Sequence, residues 1–329
     1  MIGGKVYRKT TKGNVEDTSC IYKDNKTFCK KMASVLENVS GITLYNSSQA
    51  KFTLLDRKEI EETIISMTRS SDMVTKTFVG SKSQKNFLNE LATYHEVLKI
   101  LPSKKFHNLV PIIMYKQMPI FGLVLRYNNT TKTTYHLFSE GCSSKILEME
   151  FTSKLFNKFA REISEVLDLM RSKGFCHNDL KPDNLYYCVK TDRFKIVDWG
   201  HASITTAKVF SSAHRGSMFF SHPLKLYLSG LPATISRRSM KLALLSGKEK
   251  WTQKLSSLTP LKSFGASSFN YIMDRFSNLS TVKLHNMYSP YYDGYSFALI
   301  LVLLAEKNKL KAPKDVVDER LAIFIPSYM

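Results

Sequence analysis

A polar loop between a helical pattern and a short hairpin constrains this chain more than any other feature. Apolar residues recur at helical spacing through residues 151–173, and Gly174 stands where a left-handed cap would end that helix. The run His177–Asn184 (HNDLKPDN) comes next, and two strand-like segments joined by a turn lead on to Asp198–Gly200 (DWG). Because the hairpin folds the second run back over the first, the sequence predicts a cluster of polar side chains beside a buried helix.

The side chains of this cluster have the chemistry that phosphoryl transfer needs. Transfer requires a carboxylate that orients the attacking hydroxyl, a cation that neutralises the phosphoryl group, and oxygen ligands for magnesium. Asp179 can accept the hydroxyl proton, and Lys181 can reach the same phosphate. Asn184 can ligate a metal ion, and the hairpin brings Asp198 over it. These residue types at this spacing therefore indicate a phosphotransferase.

The two runs resemble the catalytic loop and the magnesium-binding loop of eukaryotic-type Ser/Thr protein kinases. The resemblance implies an α+β, bilobal fold, with a small β-rich N-lobe and a mainly helical C-lobe, and it implies ATP and Mg2+ as cofactors. It makes Asp179 the catalytic base, Lys181 the phosphate-contacting lysine, and Asn184 and Asp198 the metal ligands. His177 would be structural, bonding backbone near the magnesium loop.

The same resemblance implies cofactor-binding residues upstream of the loop. Lys76 lies in a strand-like segment and would contact the α- and β-phosphates of ATP. Glu90 lies in a predicted helix and would hold Lys76, with Glu96 on the same helix as the alternative. Leu125 and Tyr127 would approach the hinge between the lobes, where backbone groups bind adenine.

On this interpretation the chain divides into three parts. Residues 1–55 are an N-terminal extension or extra N-lobe elements, residues 56–127 are the N-lobe, and residues 128–329 are the C-lobe. The C-lobe contains a basic insertion at about 224–288, which has ten basic and two acidic side chains.

Two further segments resemble parts of the kinase C-lobe. Gly216–Pro223 resembles the end of the activation segment, although Leu224 stands where the family has a glutamate. Asp293–Ala298 resembles the start of the central buried helix, whose aspartate bonds the backbone of the catalytic loop. We therefore expect Asp293 to be a structural anchor.

Three departures from the family pattern are visible. The glycine-rich G-x-G-x-x-G run is missing upstream of Lys76, where Ser66–Ser71 occupies roughly its place. Asn178 replaces the arginine that commonly pairs with a phosphate on the activation segment, which predicts constitutive activity. Thirty-six residues follow Asp293, so the C-lobe is truncated or is packed by the insertion. The compactness and divergence suggest a gene of viral or mobile-element origin.

Three functions compete for this sequence, and a fourth, a nucleic-acid binder that uses the +20 charge, stays open without an RNA or DNA motif to support it. The first is transfer of the ATP γ-phosphate to Ser/Thr hydroxyls of proteins, and the second is a small-molecule kinase of the aminoglycoside or choline phosphotransferase type. Lys181 and the long segment 201–223 favour a protein substrate. The third is a pseudokinase scaffold, which the absent glycine loop favours and the four retained site residues oppose.

Composition bears on partners and location. The net charge of +20 indicates either a lysine-rich solvated surface or attraction to an anionic partner such as nucleotide, nucleic acid, acidic protein or a membrane surface. The partners expected here are a protein substrate docked through the basic surface and nucleic acid in non-specific contact. The sequence does not indicate an oligomeric state. Five cysteines without a CxxC pair predict a reducing compartment. Without a signal-peptide pattern at the N-terminus, and with Phe297–Ala305 too short to span a bilayer, we expect an intracellular protein of the cytoplasm or nucleus.

Overall fold

The chain forms two compact units, Met1–Ser143 and Ser144–Met329. The computed structural model describes residues 18–21, 39–46, 51–54, 73–78, 81–101, 106–107, 113–115, 118–127, 133–140, 144–204, 220–221, 225 and 287–322. Most of the predicted basic insertion, the Ser66–Ser71 segment and most of Gly216–Pro223 lie outside these residues.

The first unit is built on an antiparallel sheet. Its described strands are β1 (Thr18–Ile21), β2 (Val39–Asn46), β3 (Lys51–Leu54), β4 (Met73–Phe78), β5 (Ile113–Tyr115), β6 (Met118–Tyr127) and β7 (Thr133–Glu140). The strand order is β1-β4-β7-β6-β2-β3, and β5 pairs with β6.

One helix, α1 (Ser83–Ile100), packs against this sheet. Its buried apolar residues Phe87, Leu91, Tyr94 and Val97 recur every three to four positions, so they share one helix face. The Phe87 ring meets Tyr45 edge-on, with 5.2 Å between ring centroids. At Gly122 of β6 an added Cβ would come within 2.9 Å of both the Phe87 ring and a strand backbone oxygen, so this close approach requires glycine.

The N-terminal region contributes strands to the same sheet. β1 pairs with β4 in a register that sets Ser19 opposite Lys76, and β2 pairs with β6 along most of its length. These strands lie within residues 1–55, which the sequence predicts to be an N-terminal extension or extra N-lobe elements.

The division between the units follows β7. This strand pairs with both β4 and β6 and therefore belongs to the sheet of the first unit. The lobe boundary predicted from the sequence lies after residue 127, whereas the contacts divide the chain after residue 143.

The second unit is mainly helical with short strands. Its described elements are β8 (Ser144–Lys145), α2 (Ser153–Ser172), β9 (Phe175–Cys176), β10 (Leu185–Cys188), β11 (Arg193–Ile196), β12 (Ser203–Ile204), α3 (Tyr292–Lys307) and α4 (Lys314–Ala322). β10 lies between β11 and β8, and β9 pairs with β12, all antiparallel.

The helix α2 has clear boundary signals at both ends. The Thr152 hydroxyl accepts a hydrogen bond from Leu155 N, which satisfies one of the unpaired amides of the first turn. Gly174 adopts a φ of 64°, as its position after the helix predicts. On the buried face Phe159 meets Phe194 of β11 and Phe297 of α3, at centroid distances of 4.9 and 5.5 Å.

The helix α3 is the centre of the second unit. Residues on all of its sides are buried, including Tyr295, Phe297, Ile300 and Leu304, as expected for a helix enclosed by other elements. The apolar run from Phe297 to Ala305 is therefore a buried core helix, as predicted. A membrane-spanning helix, which would have to be long and apolar, does not occur among the described residues. The predicted α+β class is confirmed.

Candidate active site

The loop after β9 is fixed by a carboxylate from α3. Asp293 is buried, and its two oxygens accept hydrogen bonds from the backbone amides of His177 (2.5 Å) and Asn178 (3.0 Å). The predicted anchor is therefore in place. An acceptor on the buried helix α3 thus sets the start of the loop.

The His177 side chain joins the loop to the segment before DWG. Its Nδ1 accepts from Asp179 N at 3.3 Å, and its Nε2 lies 3.0 Å from the carbonyl oxygen of Val197. These partners define the tautomer with hydrogen on Nε2. The ring is fully buried and meets Trp199 edge-on at 4.9 Å.

The residue before His177 is a buried thiol. Cys176 donates a hydrogen bond to the carbonyl of Ser289 at 2.8 Å. Burial raises the pKa of the Cys176 thiol well above its usual value, and the charge of Asp293 adds to the rise. The thiol therefore stays protonated and is not a nucleophile.

Three of the predicted site residues meet within the loop. Lys181 Nζ lies 2.6 Å from Asp179 Oδ2, and Asn184 Nδ2 donates to the Asp179 carbonyl at 2.8 Å. Asp179 and Asn184 are buried. Because the Asn184 nitrogen faces Asp179, its side-chain oxygen is the atom that can ligate a cation.

The hairpin of β10 and β11 returns the chain to this cluster. Val197 N donates to the carbonyl of Asn184 at 2.9 Å, which brings Asp198 beside the end of the loop. Asp198 has a φ of 63°, a left-handed conformation that is uncommon outside glycine. The following Trp199 is buried, and its indole nitrogen donates to Ile196 O at 3.1 Å.

Asn184 and Asp198 together offer an amide oxygen and a carboxylate. Magnesium is usually bound by one or two carboxylates together with substrate phosphates. Groups of three or more His, Cys, Asp and Glu that could hold a metal do not occur in the part of the chain that the structure describes. The available donor set fits a magnesium ion whose remaining ligands would come from a bound phosphate.

In the first unit, Lys76 and Glu90 form an ion pair. Lys76 Nζ lies 2.8 Å from Glu90 Oε2 and 3.1 Å from Oε1, and Glu90 is buried. Tyr94 OH also donates to Glu90 Oε1, at 2.9 Å. The alternative partner, Glu96, instead pairs with Lys99 on the same helix.

The structure corrects the predicted position of the link between the lobes. Leu125 and Tyr127 lie within β6, and the chain re-enters the same sheet as β7 before it leaves the first unit. Leu125 is fully buried, and Tyr127 OH lies 3.3 Å from Thr134 Oγ1. The link follows Glu140. The expectation placed it one strand too early because β6 was taken as the last strand of the sheet.

Sequence reasoning also missed the strand beside Lys76. The described neighbour of β4 on its outer side is β1, from the N-terminal region. A four-residue strand carries too little alternation to be recognised by pattern. Its identification needs the pairing itself.

Comparison with known proteins agrees with this geometry. The profile of the protein kinase domain matches residues 62–228. The chain belongs to the protein kinase family. The match includes Lys76, Glu90 and the whole of the 177–200 cluster.

Several curated kinases are similar to parts of the chain. Calcium-dependent protein kinase 5 of Plasmodium falciparum is 29% identical over 170 residues, which cover 45% of this chain and 30% of that protein. A casein kinase II subunit alpha homolog of Encephalitozoon cuniculi is 24% identical over 127 residues, covering 39% and 36%. A serine/threonine-protein kinase of Acanthamoeba polyphaga mimivirus is 32% identical over 87 residues, covering 25% and 13%. The matched region therefore spans about a third or less of these relatives.

Proposed function

We propose that this kinase-family chain transfers the γ-phosphate of ATP to serine and threonine hydroxyls of protein substrates. The observation that carries the proposal is the cluster of Asp179, Lys181 and Asn184, which hydrogen bonds hold together inside a loop anchored on Asp293. This cluster combines a carboxylate, a cation and an oxygen ligand, which is the set that phosphoryl transfer requires.

Asp179 is the proposed base. Its carboxylate would accept a hydrogen bond from the substrate hydroxyl, orient the oxygen towards the γ-phosphorus, and take the proton as the new P–O bond forms. Lys181, 2.6 Å from Asp179 in this structure, would bond an oxygen of the transferring group. The leaving ADP keeps the electron pair of the broken P–O bond.

Asn184 and Asp198 are the proposed metal ligands, and the fit of their donor set to magnesium supports the assignment. Bound Mg2+ would neutralise charge on the phosphate oxygens of ATP. Lys76, held by Glu90, is the proposed contact for the α- and β-phosphates. Leu125 and Tyr127 lie inside the sheet, and their contact with adenine stays a prediction from the sequence.

A protein substrate is favoured over a small molecule. Lys181 stands at a position where the aminoglycoside and choline phosphotransferases usually lack a lysine, and the relatives above are named as protein kinases. Docking through the basic segment 224–288, non-specific nucleic-acid contact, a cytoplasmic or nuclear location and a viral origin remain predictions from the sequence.

The decisive test is phosphate transfer with matched variants. Wild type, Asp179→Asn, Asp198→Asn and Asp315→Asn are incubated with γ-labelled Mg-ATP and a generic protein mixture. The exposed Asp315 on α4 is the control for a surface charge change. We expect a loss of at least about 100-fold for the first two variants and none for the control. Phosphoamino-acid analysis should show label on serine and threonine.

Two results would contradict the proposal. Transfer that survives both Asp179→Asn and Asp198→Asn would refute the assigned mechanism. Wild type that neither transfers label nor gains thermal stability with Mg-ATP would favour a scaffold without catalysis.

A further inference from the structure

Lys225 contacts the catalytic loop from a position outside the motifs discussed so far. Its ammonium donates a hydrogen bond to the backbone carbonyl of Asn178. Burial lowers the pKa of Lys225 from its usual value, while the charges of Asp293 and Asp179 act in the opposite direction. A lysine thus reaches into the region of two buried carboxylates.

The carbonyl that Lys225 holds belongs to the peptide that leads into Asp179. The nitrogen of the same peptide, Asp179 N, donates to His177 Nδ1 at 3.3 Å. Both polar ends of one peptide plane are therefore fixed, one by an ammonium and one by an imidazole. Since this plane sets the direction in which Asp179 leaves the backbone, Lys225 and His177 together orient the proposed base.

Asn178 itself is held in an uncommon conformation. Its φ is 66°, in the left-handed region, which costs a side-chain-bearing residue free energy unless its surroundings compensate. Its side-chain Nδ2 donates to Ser203 Oγ at 2.8 Å and to His201 O at 3.2 Å, and its backbone nitrogen donates to Asp293. Lys225 completes this set of contacts at the carbonyl.

The charge balance around Asp293 and Asp179 supports the same role. Asp293 accepts two backbone amides, and Asp179 is paired with Lys181. Both carboxylates are buried, and the ammonium of Lys225 supplies a second positive charge that interacts with each of them.

We propose that Lys225 is a positioning residue that fixes the Asn178–Asp179 peptide and so holds Asp179 in its working direction. The proposal rests on the proposed function for its kinetic consequence.

The test compares Lys225→Met, which keeps the length of the side chain without its charge, with Lys225→Arg, which keeps a charged donor. Lys311→Met, at an exposed lysine before α4, is the control. Steady-state transfer gives kcat and the KM for ATP. Amide hydrogen exchange of residues 177–180 in the full chain reports the loop independently of activity.

For Lys225→Met we expect kcat to fall roughly 10- to 100-fold with the KM for ATP changed less than about twofold, because orientation of the base acts on the chemical step. The amides of Asn178 and Asp179 should exchange faster, while those of α2 keep their protection. Lys225→Arg should recover most of both properties, and Lys311→Met should match wild type.

Three outcomes separate this inference from the proposed function. If Lys225→Met keeps wild-type kcat and wild-type exchange, the inference is wrong while the function stands. If Lys225→Met loses protection throughout the second unit and Lys225→Arg does not restore activity, Lys225 is merely structural and the inference is again wrong. If wild type transfers no phosphate, the proposed function fails. Faster exchange at Asn178 and Asp179 in Lys225→Met would still support the role of Lys225 in fixing that peptide.

Discussion

The loop of the second unit and the ion pair of the first unit hold their polar groups by different means. In the loop, Asp179 and its neighbours are fixed through backbone groups that bond Asp293 and His177. In the first unit, Lys76 on β4 and Glu90 on α1 meet through their side chains, with Tyr94 as a further partner. Several hydrogen bonds therefore fix the geometry of the loop, whereas the geometry of the ion pair depends mainly on two long side chains. The ion pair should therefore be the more sensitive to single substitutions.

The largest effect on catalysis is expected for Lys76, the cation of the ion pair in the first unit. Lys76→Met should lower kcat/KM for ATP by about 100- to 1000-fold, because the proposed charged donor to the ATP phosphates is lost. Glu90→Gln should cost less, since Tyr94 OH still holds that side chain. Steady-state transfer measures both. Lys99→Met is the control, because Lys99 pairs with Glu96 on the same helix. An equal loss for Lys99→Met would show that the Lys76 pair has no special role.

A second substitution tests whether the stability of the second unit also depends on one side chain. Glu162 on α2 is buried and accepts from Arg193 Nη1 (2.7 Å) and Phe194 N (3.0 Å) of β11. Glu162→Ala leaves a buried amide without its acceptor and should lower the free energy of unfolding by about 3 kcal/mol, measured in urea. Glu162→Gln should cost about 1 kcal/mol. Glu306→Ala, at an exposed site, should be nearly neutral. If Glu162→Ala lowers the free energy of unfolding no more than Glu306→Ala does, the stability of the second unit does not depend on Glu162.

The third prediction uses pH on the sheet of the first unit. His136 lies between Thr77 and Thr134 hydroxyls, at 3.1 and 2.8 Å, and burial lowers its pKa to about 4. The unfolded chain takes up a proton near pH 6.5, whereas the folded chain does so only near 4. Stability contributed by neutral His136 is thus complete above pH 6.5 and is lost as pH falls towards 4, by about 2 kcal/mol.

The measurement is urea unfolding of wild type and His136→Gln at several pH values between 7 and 4. Carboxylates titrate in both proteins, so the informative quantity is the difference between them. The wild-type curve should fall more steeply than that of His136→Gln. Parallel curves would mean that His136 is protonated equally in both states.

The smallest effect concerns the start of the helix that leads into the loop. Thr152→Ala removes the hydroxyl that caps α2 and should lower the free energy of unfolding by about 1 kcal/mol. Thr152→Ser, which keeps the oxygen, should recover most of it. Activity per folded molecule should stay at the wild-type level. A change in kcat without a change in stability would extend the functional region to the start of α2.

The comparison also shows which features a sequence can reveal. The loop, the helix α2 and the hairpin to Asp198 follow one another along the chain, so turn residues and apolar spacing were enough to predict them. The order of the sheet was not predictable, because β1 and β7, which flank β4, come from distant positions in the chain. Lys225 is one of ten basic residues in its segment, and the sequence does not show its bond to Asn178. The Lys76–Glu90 pair is an intermediate case, because the sequence predicts Glu90 but leaves Glu96 on the same helix as an alternative partner.

The bond between His177 and Asp293 joins residues 116 positions apart. During synthesis the whole motif from His177 to Gly200 therefore emerges from the ribosome long before its anchor. Until α3 follows, the amides of His177 and Asn178 have no carboxylate to bond, whatever local structure the loop adopts. A nascent chain or fragment that stops before residue 293 would contain both the HNDLKPDN and the DWG runs and still lack the carboxylate that anchors the loop. The loop therefore gains its anchor only after α3 has been synthesised.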